Sequence, residues 1–580
     1  MTAPAITPSI TPAITPAITP PRRAWWRDAV VYQLYVRSFA DGDGDGRGDL
    51  IGIGSRLEYL QQLGIDAIWL TPCYPSPQLD HGYDVANYFD IEPTYGTLDS
   101  FDELVAGCHQ AGIKVLMDIV PNHCSDQHAW FQAALADHSG SPLRERFYFR
   151  DGRGESGELP PNNWVSVFGG SAWSRTVDAD GSPGQWYLHT FTPWQPDFNW
   201  DCQDVVDHFD DVLHFWFDRG VDGFRVDAVT VAGKAPGLPD APPVPAGTAE
   251  NDAWAHNPYS VFWPSAHVAW RRWRKLIDQY EHDHPGRELV TVSEAYTPGR
   301  PDLLLEYVQT DEFHQSFCFD LLLSPWHAPM IRSAIDDVYQ VLVREGAALT
   351  WTFNNHDTQR AVTRYGRADA VLAESYTGNN LVYTGAEVDL DLGVRRARAM
   401  IMLAAALPGS LYLFQGEELG LPEVLDIPAH RREDPIFART DGREIGRDGC
   451  RVPLPWTSET VTGHGFSRAE AEPWLPQPAE WGTWAADAQH DDESSMLHLY
   501  RSALTARRHH DPTAPIEWVH DDSSDVVAFT RGSLLVVLNV SGHDVALPAA
   551  LVDGRALVMS SVVGHIDPTV VPADGCIWLG

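Results

Sequence analysis

Lysine is almost missing from this chain: Lys114, Lys234 and Lys275 are the only three in 580 residues. Positive charge is scarce altogether, with 41 Lys+Arg against 80 Asp+Glu and a formal net charge of -39. A surface of that sign repels phosphate backbones and anionic headgroups, so neither nucleic acid nor a membrane is expected as a partner. The cysteines (Cys73, Cys108, Cys124, Cys202, Cys318, Cys450, Cys576) are scattered and form no CxxC pair, which supports neither a zinc ribbon nor a disulfide framework. No apolar stretch is long enough to span a bilayer. The opening Ile-Thr-Pro repeat lacks a basic start followed by an apolar run, so it does not read as a secretory signal. The expectation is a cytoplasmic protein with a disordered tail over 1–23. Also missing are the GxSxG, Walker and HExxH patterns.

What is present is globular: 44% hydrophobic and 21% charged residues. The 22 Trp, 19 Tyr and 22 Phe suit stacking of flat, weakly charged ligands such as sugar rings, and equally a large core. The length exceeds one ordinary core and implies a large catalytic domain with smaller attachments.

One unit recurs after Trp25: an amphipathic helix, a glycine, then a short apolar run. Leu57, Leu60 and Leu63 lead through Gly64 to Ala67–Leu70; Phe101, Leu104, Val105 and Cys108 lead through Gly112 to Val115–Met117. Further joints stand at Gly220, Gly286, Gly346 and Gly409, where a glycine can end a helix in the left-handed conformation. With the opening strand Val30–Val36 this gives seven strands, and an eighth is placed weakly near Ser316–Leu322. Such alternation predicts an α/β fold, a (β/α)8 TIM barrel, with a doubly wound open sheet as the alternative. The Gly-, Pro- and Trp-rich stretch 124–200 reads as a small domain inserted after strand 3, and Pro236–Pro258 as a long loop after strand 4. The barrel then covers 24–123 and 201–510. Short β runs in 511–580 predict a C-terminal antiparallel β domain of sandwich type.

Polar residues at the C-terminal ends of barrel strands face the active site. The third strand ends in DIVPNH (Asp118–His123), the fourth in GFRVDAV (Gly223–Val229), the fifth in SEAY (Ser293–Tyr296) and the seventh in NNHD (Asn354–Asp357). These ends deliver Asp227, Glu294 and Asp357, with His123 and His356. Any one alone could be a strand-end group bonding a loop; their coincidence at matching ends is the signal. Three carboxylates and two histidines permit glycoside hydrolysis, a metal site or aldolase-like chemistry. A Schiff base needs a strand-end lysine, and Lys114 begins its strand. Zinc hydrolases need closely spaced histidines. Glycoside chemistry remains. Arg225 and Asp227 project to one face of their strand, which favours an ionised Asp227, and Glu294 on the next strand is placed for the ~5 Å carboxyl separation of a retaining enzyme.

In this order the motifs resemble those of glycoside hydrolase family 13, the α-amylase family. The resemblance implies Asp227 as nucleophile, Glu294 as general acid/base and Asp357 as the third carboxylate holding sugar hydroxyls. It implies Arg225, His123 and His356 in the first subsite, Tyr83 of HGYDV as stacking platform, and Asp84 closing the pocket. QPDFN (Gln195–Asn199) resembles the QPDLN signature of the oligo-1,6-glucosidase and α-glucosidase branch, with Phe198 in place of Leu. WWRDAVVYQLYVRSF and FQGEELGLPE look similar to that branch too. The resemblance thus implies a retaining, exo-acting α-glucosidase on short α-glucosides, with transglucosylation as a side activity. Trehalose synthase and a non-catalytic sugar- or partner-binding homologue are the alternatives. Ala228, after the nucleophile, is where relatives with α-1,6 preference carry valine, so maltose-type α-1,4 linkages are expected. The run DGDGDGRGD places Asp41, Asp43, Asp45 and Asp49 among glycines, where oxygens can converge on a hard cation, although Gly52 at position twelve excludes an EF-hand. The resemblance implies structural Ca²⁺ (or Mg²⁺) there, with the Arg47 carbonyl as a further ligand and no organic cofactor.

Overall fold

The computed structural model describes residues 23–178, 180–248, 250–367, 387–469, 471–519 and 525–580. The Ile-Thr-Pro repeat lies almost wholly outside them. Eight parallel strands form the central sheet: β1 (Val30–Leu34), β2 (Ala67–Leu70), β3 (Lys114–Ile119), β4 (Gly223–Val226), β5 (Val290–Ser293), β6 (Gln315–Ser316), β7 (Thr350–Thr352) and β8 (Ser410–Phe414). Each pairs with its neighbours in chain order, and β8 returns to β1 through Val30↔Leu411 to Gln33↔Phe414. The last seam, β6 to β7, is joined by one bridge between Cys318 and Trp351, where the Cys318 N–H donates to the Thr350 carbonyl at 2.9 Å. The sheet therefore closes, and the open doubly wound alternative is excluded. β6 is two residues long, which is why its sequence signal was weak.

Strands buried on both faces read as mostly apolar runs, as in Val30–Leu34, broken only by Gln33, and Leu411–Phe414. The helices around them bury one stripe. Gln203–Asp218 turns Val205, Phe209, Val212, Leu213, Trp216 and Phe217 inward at helical spacing. Gly64, Gly112, Gly220, Gly286, Gly346 and Gly409 all have positive φ, so every glycine joint read from the sequence makes the left-handed turn into a strand.

After β3 the chain leaves the barrel to form a helix (Ala129–Ala136) and an antiparallel sheet in which Pro183–Leu188 lies between Phe149–Arg150 and Trp173–Val177. Leu238, in the long loop after β4, joins the apolar cluster of Tyr148, Trp164 and Trp173, while the Trp164 indole donates to the Pro239 carbonyl at 2.9 Å. A buried ion pair, Lys234 Nζ to Asp197 Oδ2 at 3.0 Å, makes a second tie, and Asn122 at the end of β3 accepts from the same lysine at 3.2 Å. The C-terminal part is a five-stranded antiparallel sheet, Glu517–Trp518, Val526–Arg531, Leu534–Asn539, Cys576–Leu579 and Leu557–Ser560 in spatial order, with a two-stranded ribbon beside it. It is tied to the long buried helix Leu390–Ala406: Arg531 donates to the Ala406 carbonyl and Arg398 to the Ser561 carbonyl, each at 2.7 Å.

Candidate active site

The barrel's C-terminal rim carries two groups of three carboxyls with different cation supply. The first sits on β3, β4 and β5. Arg225 Nη1 lies 2.8 Å from Asp118 Oδ1 and 2.6 Å from Asp227 Oδ1, and its Nη2 lies 2.8 Å from Glu294 Oε2. The strand geometry that puts Arg225 and Asp227 on one face explains the second contact. Three carboxyls around one guanidinium disfavour one another's ionisation. Burial pushes Asp118 up to about 7 against the pull of Arg225. Burial also raises Asp227 well above the usual carboxylate range; Arg225 opposes this, and Glu294 and Asp118 reinforce it. Glu294 is raised by burial and by Asp357, against Arg225. Asp227 and Glu294 are in hydrogen-bonding reach of each other, so the pair holds a proton more readily than two separate carboxyls would.

The second group has two arginines. Arg447 contacts Asp80 Oδ1 at 3.0 Å, Asp357 Oδ1 at 3.0 Å and Asp434 Oδ2 at 2.7 Å; Arg451 Nη2 reaches Asp357 Oδ1 at 2.9 Å. Burial works against ionisation of Asp357, but the Arg447 and Arg451 guanidiniums hold it below the ordinary carboxylate range. His356 itself is buried, and burial keeps it well below its usual value, so the ring is neutral. Gln33 Nε2 donates to its Nδ1 at 2.6 Å, which leaves the proton on Nε2 to donate to the Tyr83 hydroxyl at 2.7 Å. Tyr83 in turn donates to Asp118 Oδ2 at 3.0 Å. One hydrogen-bonded chain thus connects the two groups.

Between them opens a pocket of about 150 Å³. Of the residues singled out in the sequence, Asp227, Glu294, Asp357, His123, His356, Tyr83 and Ala228 all line it. Arg225 lies beneath them, fully enclosed. Tyr83 faces His356 with parallel rings 5.5 Å apart. Burial lowers His123 to about 4; its Nε2 donates to the Tyr83 carbonyl at 3.1 Å.

Asp84 corrects the sequence reading. Its carboxylate is buried in the turn before it, accepting from Ser76 Oγ at 2.8 Å and from the Leu79 and Asp80 N–H groups at 3.0 and 3.1 Å. The pocket wall is instead formed by Asp80, which accepts from Gln195 Nε2 at 2.9 Å. Asp80 stands one residue before the quoted HGYDV motif, so the local signal was present but off by four positions. Gln195 is the first residue of QPDFN, and Phe198 in the same motif is a core residue stacked on Phe147 at 5.4 Å. Arg447 and Arg451 carried no motif and were not found from the sequence. Ala228 lines the pocket with φ +48 and ψ 36, a left-handed conformation that aims its N–H at Glu294 Oε2, 3.1 Å away. Of the loop Pro236–Pro258, Trp254 reaches the pocket wall.

The acidic run DGDGDGRGD gathers Asp41, Asp43 and Asp49, whose ligand oxygens lie within 4.8 Å of one another. Asp45, expected among the ligands, is not in that trio; its Oδ1 accepts the Arg47 N–H at 2.8 Å. The loop is shaped by its own carboxylates: Asp49 accepts from Gly42, Asp43 and Gly52, and Asp41 from Gly44 and Gly46.

Two carboxyls sharing a proton at the C-terminal rim of a (β/α)8 barrel, beside a third kept ionised, define the glycoside-hydrolase class of site. The model of the alpha amylase catalytic domain matches residues 33–514. Maltase 1 of Drosophila virilis is 35% identical over 540 residues, covering 90% of this chain and 79% of its own. A probable alpha-glucosidase of Rhizobium meliloti is 35% identical over 539 residues, covering 90% and 88%. Among solved structures, the alpha-glucosyl transfer enzyme XgtA superposes with a TM-score of 0.82 at 34% identity, covering 96% of this chain and 99% of that one. The chain belongs to the α-amylase family, glycoside hydrolase family 13, in its α-glucosidase and oligo-1,6-glucosidase branch.

Proposed function

We propose that the protein is a retaining, exo-acting α-glucosidase that releases glucose from short α-glucosides, with Asp227 as nucleophile and Glu294 as acid/base. The observation that carries the reading is the single Arg225 guanidinium holding both carboxyls. That closeness fits the ~5–5.5 Å spacing of a retaining pair and not the ~6.5–9.5 Å that an inverting enzyme keeps for a water molecule. Glu294 donates the pair's proton to the glycosidic oxygen as that bond breaks. The Asp227 carboxylate bonds to the anomeric carbon from the opposite face. Water then enters, gives its proton to Glu294 and releases α-glucose. While Glu294 carries the proton it is neutral, so Arg225 favours the ionised Asp227 that attacks; once the proton has gone to the leaving group, the same guanidinium stabilises the Glu294 carboxylate. Asp357, kept ionised by two arginines, accepts sugar hydroxyls and steadies positive charge at the anomeric carbon. Asp80, together with Arg447, closes the blind end of the pocket, which favours removal of one terminal unit. NMR of fresh product from maltose tests this: α-glucose is expected, while β-glucose would overturn the double displacement and trehalose as main product would favour isomerisation. Starch turned over faster than maltose would overturn exo action.

A structural divalent cation, Ca²⁺ or Mg²⁺, at Asp41, Asp43 and Asp49 is part of the same proposal. The fit rests on three carboxylates converging from a loop whose backbone N–H groups already orient them. The cation would neutralise their mutual repulsion and brace the turn after β1.

A further inference from the structure

A turn of the inserted domain, residues 166–170, stands at the edge of the pocket, which its Val167 and Phe168 line. The turn is shaped from within. The Gly169 N–H donates to the Ser166 carbonyl at 3.0 Å and the Ser166 N–H to the Gly170 carbonyl at 2.9 Å, with Gly169 and Gly170 both at positive φ. Its base is tied to its own domain, the Val167 N–H donating to the Thr190 carbonyl at 2.8 Å. None of these bonds fixes how the tip leans over the barrel. Arg439 does so from outside: its Nε donates to the Phe168 carbonyl at 3.2 Å, and its Nη2 donates to the Gly169 carbonyl. Two successive carbonyls on one planar guanidinium set an orientation as well as a distance. Arg439 is half-buried, burial lowers its pKa, and it has no carboxylate partner among the described residues. Its charge is spent on this turn.

The other end of the same strut holds the other side of the contact. Arg439 closes the five-residue helix Pro435–Arg439, and the residue capping its start is Asp434, which binds Arg447 Nε at 2.7 Å. Arg447 and Phe168 then meet at the pocket, with 5.4 Å between guanidinium carbon and ring centroid. Phe168 leans on Phe191, centroids 5.7 Å apart, and Phe191 on His123 at 4.9 Å. All four line the pocket, and Arg439 does not. We infer that Arg439 is a positioning residue which latches the inserted domain to the barrel so that Phe168 completes the wall around the terminal glucose unit; this rests on the exo-glucosidase reading above. Phe168 meets that unit before and during bond breaking alike. The latch therefore contributes binding shared by ground and transition states and leaves the chemical step alone.

The test is a double-mutant cycle on the full-length enzyme with maltose as substrate: wild type, Arg439→Met, Phe168→Ala and the double variant. Arg439→Met is expected to raise KM about tenfold while kcat stays within about threefold. KM does not depend on how much of a sample is folded. On the Phe168→Ala background the same substitution should change KM by less than about twofold, because the group it positions is gone. An unchanged KM in Arg439→Met, or an effect that multiplies in full with that of Phe168→Ala, would overturn the latch while the glucosidase reading stands. No glucose from maltose with the wild type would overturn both. Arg439→Lys, whose ammonium cannot span both carbonyls as the planar fork does, guards against a Met variant that fails to fold. Its KM should rise by about threefold or more, and a wild-type KM would overturn the latch.

Discussion

The two carboxyl triads of the rim are alike in number and burial and differ in the direction in which most of their members are shifted. Asp118, Asp227 and Glu294 share Arg225, and all three are raised. Asp80, Asp357 and Asp434 share Arg447 and Arg451; Asp357 and Asp434 are lowered, and only Asp80, where burial outweighs its arginines, is raised. One guanidinium more or fewer decides whether a corner of the same pocket stores a proton or a negative charge. Glycoside cleavage needs both at once.

The strongest blow to that contrast falls on the proton-storing triad. Asp227→Asn is expected to reduce turnover to background, and Glu294→Gln to cost about 10²–10⁴-fold in kcat, with far-UV CD unchanged; steady-state kinetics on maltose measures both. Removing a cation from the other triad should make it resemble the first. Arg447→Met is expected to destabilise by about 3–5 kcal/mol, because it strands buried carboxylates. It should also let Asp357 protonate at higher pH, so the acid limb of the kcat/KM profile moves upward. A profile that keeps its acid limb would break the comparison.

pH provides the next test. The Asp227–Glu294 pair holds a proton that the reaction uses, so kcat/KM should fall as pH rises through the raised range of that pair. Stability should fall in the same direction. Burial raises Glu417 to about 8, and Glu423 and Asp118 to about 7. In the unfolded chain these groups ionise near pH ~4. Between about pH 4 and 8 the folded state therefore binds more protons, and its stability is lost as pH rises. A melting temperature lower at pH 8.5 than at 5.5 is expected.

Smaller effects concern Ala228 and the acidic loop. Ala228→Val places a β-branched side chain at φ +48 and costs about 1–2 kcal/mol of backbone strain. The linkage reading adds a specific loss on maltose relative to isomaltose of about tenfold to a few hundredfold. The ratio of the two kcat/KM values separates strain from linkage, and a wild-type preference for isomaltose would end the linkage argument. The loop after β1 should give the mildest response. Chelation is expected to lower the melting temperature, with recovery on adding Ca²⁺ or Mg²⁺, and to leave kcat on maltose nearly unchanged.

Much of this was legible in the chain itself, because the catalytic groups sit at strand ends and strand ends are marked by apolar runs. Asp227, Glu294 and Asp357 needed only that rule. Arg447 and Arg451 did not obey it: they come from a loop segment beyond β8, and no local pattern marks a loop residue that folds back over the pocket. Asp84 and Asp80 show a different failure. Both are acidic residues of one short turn, and only hydrogen-bond geometry reveals which carboxylate caps the turn and which faces the pocket. The cation supply of the second triad was invisible for the same reason, being set by contacts such as Arg447 with Asp80, far apart in sequence; in the first, Arg225 beside Asp227 was legible, but not its sharing with Asp118 and Glu294.

The single bridge between Cys318 and Trp351 has a mechanical meaning. A barrel resists deformation only as well as its weakest seam, and this one is held where a two-residue strand meets β7. Phe319, Leu322 and Leu323 hang immediately beyond it. The part of the pocket that meets changing partners is thus mounted on the least-stitched strand, and the carboxyl pair on strands laced on both sides. Amide hydrogen exchange should record this as faster opening at Cys318 than at Val226 or Val292. A lineage could then alter what the mouth accepts by substitution at one hem of the barrel, without disturbing the register that keeps Asp227 opposite Glu294.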